Sequence, residues 1–175
     1  CFGSANGSIN ITVTGGTGNY GYTWTKDGNP FGIIEDISNL NPGVYKVSVT
    51  DANNCITTLS VSITEPTLLT ATASTSSVLC NGGMTTVTVS ANGGTASYIG
   101  VGTYTALAGT ETYTITDANN CMTTASVSIS EPTAVTANAS ASQVLCNGGI
   151  ATVTVSANGG TASYIGVGTY TAMAG

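Results

Sequence analysis

The sequence copies itself at a fixed offset of 66 residues. Cys80–Gly109 reads CNGGMTTVTVSANGGTASYIGVGTYTALAG, and Cys146–Gly175 reads CNGGIATVTVSANGGTASYIGVGTYTAMAG. Across these 30 residues only positions 84/150, 85/151 and 107/173 differ. The hexapeptide TDANNC at Thr50–Cys55 returns at Thr116–Cys121, and SVSITEPT (60–67) returns as SVSISEPT (126–133), at the same offset of 66. A period of this length describes structural modules laid end to end, so the fold has to be argued one repeat at a time. The first copy is divergent and longer. Cys1 to Cys55 spans 54 positions against 41 from Cys80 to Cys121, and the 13 extra lie around TWTKDGNPFGIIEDISNL.

Within each copy apolar and polar residues alternate with period two. Ile9, Ile11 and Val13 alternate with Asn10, Thr12 and Thr14; Tyr45, Val47 and Val49 with Lys46, Ser48 and Thr50; Leu59, Val61 and Ile63 with Ser60 and Ser62. Val87 and Val89, and Val153 and Val155, alternate with Thr or Ser. This is the pattern of antiparallel strands with one face inward and one toward water. Gly-Gly pairs at 15–16, 93–94 and 159–160 end a strand in each copy. The complete short repeat is expected to hold strands through 68–75, 84–91, Tyr98, 103–108, 111–117 and 121–129. The fold class is all-β: tandem immunoglobulin-like or PKD-like β-sandwich repeats in an elongated array. Tyr45 and Tyr113 stand where such a fold places a tyrosine corner, and Trp24, the single Trp, stands on the strand that carries the buried core aromatic. Glu-Pro at 65–66 and 131–132 supplies short, stiff junctions. The expected domains are 1–66, a divergent longer repeat lacking its first strand; 67–132, a complete short repeat; and 133–175, a truncated copy of it. The chain opens on Cys and stops in mid-pattern, and is read as a stretch of a longer protein.

Composition removes several classes of function. Only 6% of residues are charged, Lys26 and Lys46 are the only cations, and the net charge is −6, so no basic surface exists for nucleic acid. No apolar run approaches the ~18 residues of a membrane span, and no membrane insertion is expected. With no His in the chain, Ser and Cys lack their usual general base. Glu35 and Asp36 are adjacent on an expected strand and so point to opposite faces, which reads as solvated rather than as a glycosidase pair. No catalytic residue and no cofactor is expected, and the chain is read as not an enzyme. Lys–Asn isopeptide cross-links fail because repeats two and three contain no Lys. The sequons at Asn6, Asn10 and Asn138 and the Thr rows are ordinary in a Thr-rich strand protein.

The spaced residues Cys1, Gly7, Ser8, Gly15, Gly16, Tyr22, Trp24, Leu40, Gly43, Tyr45, Asp51, Cys55 and Pro66 carry a family resemblance. This layout resembles the SprB-type repeat, found in very large surface adhesins of gliding Bacteroidota. The second and third copies depart from it, replacing the Trp and NLxxG segments by the shorter SYIGVGTYTALAGTETY. The resemblance implies immunoglobulin-like extracellular modules at the cell surface, exported by type IX secretion and serving adhesion or gliding motility.

Of the five cysteines, two fall in each of the first two repeats and one in the third, on a strand-rich scaffold without a CxxC or a His, which favours disulfides over metal. The simplest and preferred pairing is within a repeat, Cys1–Cys55 and Cys80–Cys121, with the partner of Cys146 beyond Gly175. Immunoglobulin topology raises an alternative. It sets the first and last cysteines of one repeat at opposite poles, roughly 25 Å apart for strands of ~8 residues, whereas a disulfide needs Cα atoms within ~7 Å. Cys1–Cys121, a bridge between neighbouring repeats, then becomes the reachable pair. A calcium site would draw on Glu65, Asp117 and Asn119, but two carboxylates are few for six or seven oxygen ligands. The preferred reading makes Asp51 and Asp117 Asx-turn residues, leaves the Glu on a solvated linker, and assigns no metal.

The expected function is a non-catalytic extracellular repeat region of a large bacterial surface adhesin. It would act as a disulfide-stiffened stalk and as a contact array for surfaces or polysaccharide. The expected partners are neighbouring repeats of the same chain, surface polysaccharide, or further copies by self-association; nucleic acid is not among them. The alternatives are a protomer of an extracellular structural filament, with edge strands pairing between units, and spacer repeats of a secreted polysaccharide-degrading enzyme.

Overall fold

The computed structural model describes residues 1–173. Among these there are fourteen β-strands and no helix. They divide into two compact units: Cys1–Thr70 with Asn92–Tyr98 and Thr116–Met122, and Ala71–Ala91 with Ile99–Ile115 and Thr123–Gly175.

The first unit is built on β1 (Gly7–Ile9), β2 (Gly21–Lys26), β3 (Asn29–Gly32), β4 (Ile37–Leu40), β5 (Gly43–Thr50) and β6 (Ile56–Ile63). An antiparallel sheet in the order β3-β2-β5-β6 accompanies the antiparallel pair β1-β4. The β2–β3 hairpin closes on Asp27-Gly28, both at positive φ (50° and 83°), the two-residue turn whose twist suits flanking strands. This hairpin and β4 occupy the stretch that makes the first copy longer. Trp24 on β2 and Tyr45, Val47 and Val49 on β5 form one core cluster with Ile9, Ile37 and Leu40 from the β1-β4 pair. Trp24 is fully buried and satisfies its single donor on the Ile34 carbonyl, Nε1 to O 2.8 Å. Tyr45 is equally buried and donates its hydroxyl to the Asn41 carbonyl four residues upstream at 2.8 Å, the geometry of a tyrosine corner.

Two strand expectations need correction in this unit. The run from Ile9 to Val13 alternates in burial, but only Gly7–Ile9 is strand. Beyond it the Ile11 N–H donates to Asp36 Oδ1 at 3.0 Å instead of joining a ladder. Period two there reports which side chains face inward, not a hydrogen-bonding pattern. On the edge strand β6, Val61 and Ile63 are half-buried but Leu59 is exposed, because only the end near the core is covered.

The second unit holds most of β7 (Thr70–Thr75) and β8 (Thr85–Asn92), all of β9 (Gly102–Ala106), most of β10 (Gly109–Thr116) and β11 (Met122–Ile129), and all of β12 (Thr136–Ala141), β13 (Ile150–Asn158) and β14 (Gly168–Met173). Its sheets run β7-β8-β9, β10-β11 and β12-β13-β14. Val78, Val87, Val89, Ile115, Ala125 and Ile129 are buried. Thr85, a buried polar residue, gives its hydroxyl to the Ser76 carbonyl at 2.6 Å.

The strand expected through Tyr98 is not there; only an isolated bridge at Ile99 remains. Ser97 and Gly100 both take positive φ (86° and 91°), and a Cβ on Gly100 would lie 2.2 Å from the Thr114 carbonyl oxygen. The backbone comes too close there for a side chain and is too irregular for a ladder. Tyr98 instead gives its hydroxyl to the Gly93 carbonyl at 2.7 Å. Tyr113 does not form the expected corner: among the described residues its hydroxyl makes no bond to an upstream carbonyl, and its ring packs on Tyr104 with centroids 4.8 Å apart.

Candidate functional site

TDANNC forms the turn between β5 and β6, and again between β10 and β11. In the first copy Asp51 Oδ1 accepts the N–H groups of Asn53 (2.9 Å) and Cys55 (2.8 Å), an Asx-turn extended by one more bond. The Asp51 N–H donates to the Cys55 carbonyl at 3.0 Å, and Asn54 sits at φ 62°, a conformation Asn tolerates. The second copy repeats this, with Asp117 Oδ1 accepting from Asn119 (2.9 Å) and Cys121 (2.8 Å) and Asn120 at φ 60°.

The turn also docks on a seat formed by Gly-Gly-Thr. Asp51 Oδ2 accepts the Thr17 N–H at 3.1 Å, Ala52 N–H reaches the Thr17 carbonyl at 3.3 Å, and Asn53 Nδ2 reaches Thr17 Oγ1 at 2.8 Å. Asp117, Ala118 and Asn119 treat Thr95 identically, at 2.9, 3.2 and 2.7 Å. The carboxylates lie so close to the glycines that a Cβ on Gly16 would stand 3.0 Å from Asp51 Oδ2, and one on Gly94 2.6 Å from Asp117 Oδ2. Each carboxylate therefore accepts three backbone N–H groups. These donors, with the Thr17 N–H contributing most at Asp51 and the Thr95 N–H at Asp117, hold both carboxyls below the usual range. Desolvation opposes the shift and is outweighed.

Around the seat of Thr95 the first unit assembles a joint. The Gly94 N–H donates to the Thr67 carbonyl at 2.8 Å, so the Glu-Pro-Thr linker lies against the Gly-Gly corner. The Glu65 carboxylate accepts the Gly3 N–H, which ties the linker to the turn that follows Cys1. Cys1 is disulfide-bonded to Cys121, Cα to Cα 5.4 Å.

That bond replaces the preferred within-repeat pairs, Cys1–Cys55 and Cys80–Cys121. The reason is visible along β6. Cys55 immediately precedes this eight-residue strand, while Glu65, which holds the Cys1 turn, follows it. Eight strand residues span about 26 Å, several times what a disulfide can bridge. Cys55, Cys80 and Cys146 are free and exposed.

The calcium candidates are not gathered into a cage. Glu65 is engaged with the Gly3 N–H, Asp117 with three N–H groups, and Asn119 with Thr95; no group of three or more His, Cys, Asp or Glu able to hold a metal occurs among the described residues. Glu35 and Asp36 are both exposed, with Asp36 serving as the acceptor for Ile11.

Sequence reasoning missed the seat itself. Thr17 and Thr95 carry it, and a signal was present: Thr follows Gly-Gly in all three copies, at 17, 95 and 161.

The profile of the family described as SprB repeat matches residues 1–29, a stretch that includes Cys1, the Gly15-Gly16-Thr17 seat and Trp24. Those residues are similar to a SprB repeat. The decoration protein of Escherichia phage T5 is 42% identical over 52 residues, covering 26% of this chain and 32% of that protein. The chain thus spans about a third of that relative's length.

Proposed function

We propose that this chain is a non-catalytic extracellular repeat region of a large cell-surface adhesin, exported by type IX secretion and serving adhesion or gliding. It works as a stalk whose joints are locked covalently, and its hydroxyl-rich, weakly charged surface offers contacts to polysaccharide or solid surfaces. Its nearest partners are its own neighbouring repeats. The observation that carries this reading is the bond from Cys1 in the first repeat to Cys121 in the second, set in a joint where linker, Gly-Gly corner and Asx-turn are all hydrogen-bonded. A covalent bridge of this kind suits a load-bearing array, because it keeps neighbouring repeats joined when their non-covalent contacts are pulled apart. Force applied at the chain ends bypasses everything between the bonded cysteines, a separation of 120 residues.

Single-molecule extension tests it. At ~3.3–3.6 Å per extended residue, the oxidised chain should withhold roughly 40 nm of contour length that appears when reductant is added. Equal contour lengths with and without reductant would remove the mechanical role. Retention of the purified chain on immobilised polysaccharide tests the contact role separately, and its absence confines adhesion to other parts of the protein.

A further inference from the structure

The second and third repeats share 27 of 30 residues from the cysteine onward, yet their sheets are covered differently. Val87 and Val89 on β8 are 0% and 3% exposed, while their equivalents Val153 and Val155 on β13 are only half-buried. Leu69 is 7% exposed and its equivalent Val135 is 62%. The β7-β8-β9 sheet is accompanied by the β10-β11 hairpin, and β12-β13-β14 has no such hairpin among the described residues. An inward face of Val on a half-dressed sheet is apolar area that a covering hairpin would remove from water.

The rest of the joint is already assembled beside that face. The Glu131 carboxylate accepts the Gly82 N–H, as Glu65 accepts that of Gly3, and takes a further bond from Asn81 Nδ2 at 3.0 Å. The Gly160 N–H donates to the Thr133 carbonyl at 2.7 Å, as Gly94 does to Thr67. Tyr164 gives its hydroxyl to the Gly159 carbonyl, as Tyr98 does to Gly93. Thr161 stands where Thr95 stands and Cys80 where Cys1 stands. In the first joint these two positions hold the Asp117 turn and the Cys121 sulfur. Cys80 is exposed and unbonded.

We propose that the uncovered face of β12-β13-β14, the Thr161 seat and Cys80 together form a docking site for a β-hairpin of the β10-β11 type, and that Cys80 forms a disulfide with the Cys of its Asp-Ala-Asn-Asn-Cys turn. The occupant is supplied in series by the same polypeptide, as β10 follows β9 after Leu107 and Ala108. The proposal rests on the reading of a stapled surface array and extends it: the staple recurs at every joint, each repeat's first cysteine bonded to the second cysteine of the next. Two thiols give up two protons and two electrons in forming the bond. A small-molecule disulfide such as oxidised glutathione takes them up and leaves as two thiols.

The test is a competition among the three free thiols. The 175-residue chain is incubated in a glutathione redox buffer with a synthetic peptide of its own residues 107–129, in which Cys121 is the sole thiol. Non-reducing peptide mapping reads which protein cysteine the peptide joins. Cys146 serves as the internal control, because it lies in the same CNGG turn as Cys80 without a described linker and seat around it. The expected result is about tenfold preference for Cys80 over Cys55 and Cys146, corresponding to about 1.4 kcal/mol, lost when the peptide carries Asp117→Ala. Equal labelling of the three thiols overturns the proposal, as does equal performance of the Asp117→Ala peptide. Cys55–Cys80 links between copies of the chain, forming to the exclusion of the peptide, overturn the in-series source and make a second copy the occupant. None of these outcomes touches the Cys1–Cys121 extension measurement, so failure here is distinguishable from failure of the stalk reading.

Discussion

Replacing Cys121 by Ser should destabilise the first unit by an amount the sequence separation sets. Closing a loop of 120 residues in the unfolded chain removes conformational entropy worth about 5 kcal/mol at 25 °C in the chain-entropy account, of which measured disulfides typically deliver about 2–4. At roughly 4 °C per kcal/mol for a unit of this size, Cys121→Ser should lower the melting midpoint by roughly 10 °C under oxidising conditions. Addition of reductant to the unaltered protein should do the same. Cys55→Ser, which removes an exposed, unbonded thiol, should stay within about 0.5 kcal/mol of the unaltered protein. The melting assay alone does not identify the pairing. A Cys1–Cys55 bond would close a shorter loop, but the logarithm makes the difference less than about 1 kcal/mol. Non-reducing peptide mapping therefore has to accompany it. A Cys1–Cys55 cross-linked peptide, or a Cys121→Ser midpoint within about 2 °C of the unaltered protein, would refute the reasoning.

The remaining predictions concern the core and the turns. Trp24→Ala, removing a fully buried side chain and its bond to the Ile34 carbonyl, should cost about 3–5 kcal/mol in chemical denaturation; a loss under about 1 kcal/mol would mean that Trp24 is not core. Gly94→Ala should cost about 1–2 kcal/mol from its left-handed φ of 60° alone, with further loss because its Cβ would press on Asp117 Oδ2 at 2.6 Å. Gly15→Ala, at φ 81° with nothing within 4 Å, should cost only the backbone part, and equal losses for the two would separate the turn from its seat. Both turn carboxyls are depressed by N–H donors, so their stabilisation is complete above the ordinary carboxyl range and is lost as pH falls through the depressed folded values. Acid unfolding monitored by tryptophan fluorescence and circular dichroism should therefore begin below about pH 4, and Asp51→Asn with Asp117→Asn should flatten that acid limb while lowering stability at neutral pH.

Period-two alternation and the 66-residue offset were enough to read an all-β chain, because side-chain alternation is a local consequence of strand geometry. The same locality made Tyr45, Trp24 and the Asx-turn of Asp51 legible: each acts within its own strand or turn, or on a carbonyl close in sequence. Ile11 and Tyr98 marked the limit. Their apolar spacing was real, but where their backbone went depended on Asp36 in one case and on the crowding of Gly100 against Thr114 in the other. For the disulfide, strand topology could name Cys1–Cys121 as an alternative but could not choose it over the within-repeat pairs. Nothing within TDANNC distinguishes a cysteine that bonds its own repeat from one that bonds the repeat before. The choice is made by an eight-residue strand that separates Cys55 from the Cys1 turn and by a linker that brings Cys1 within 5.4 Å of Cys121. The sequence alone determined that all six residues of the turn recur together. Only the tertiary structure decided why: Asp, Ala and the first Asn grip a threonine 34 to 36 positions upstream in the first copy, the second Asn takes the left-handed bend, and in the second copy the Cys reaches a partner 120 positions away.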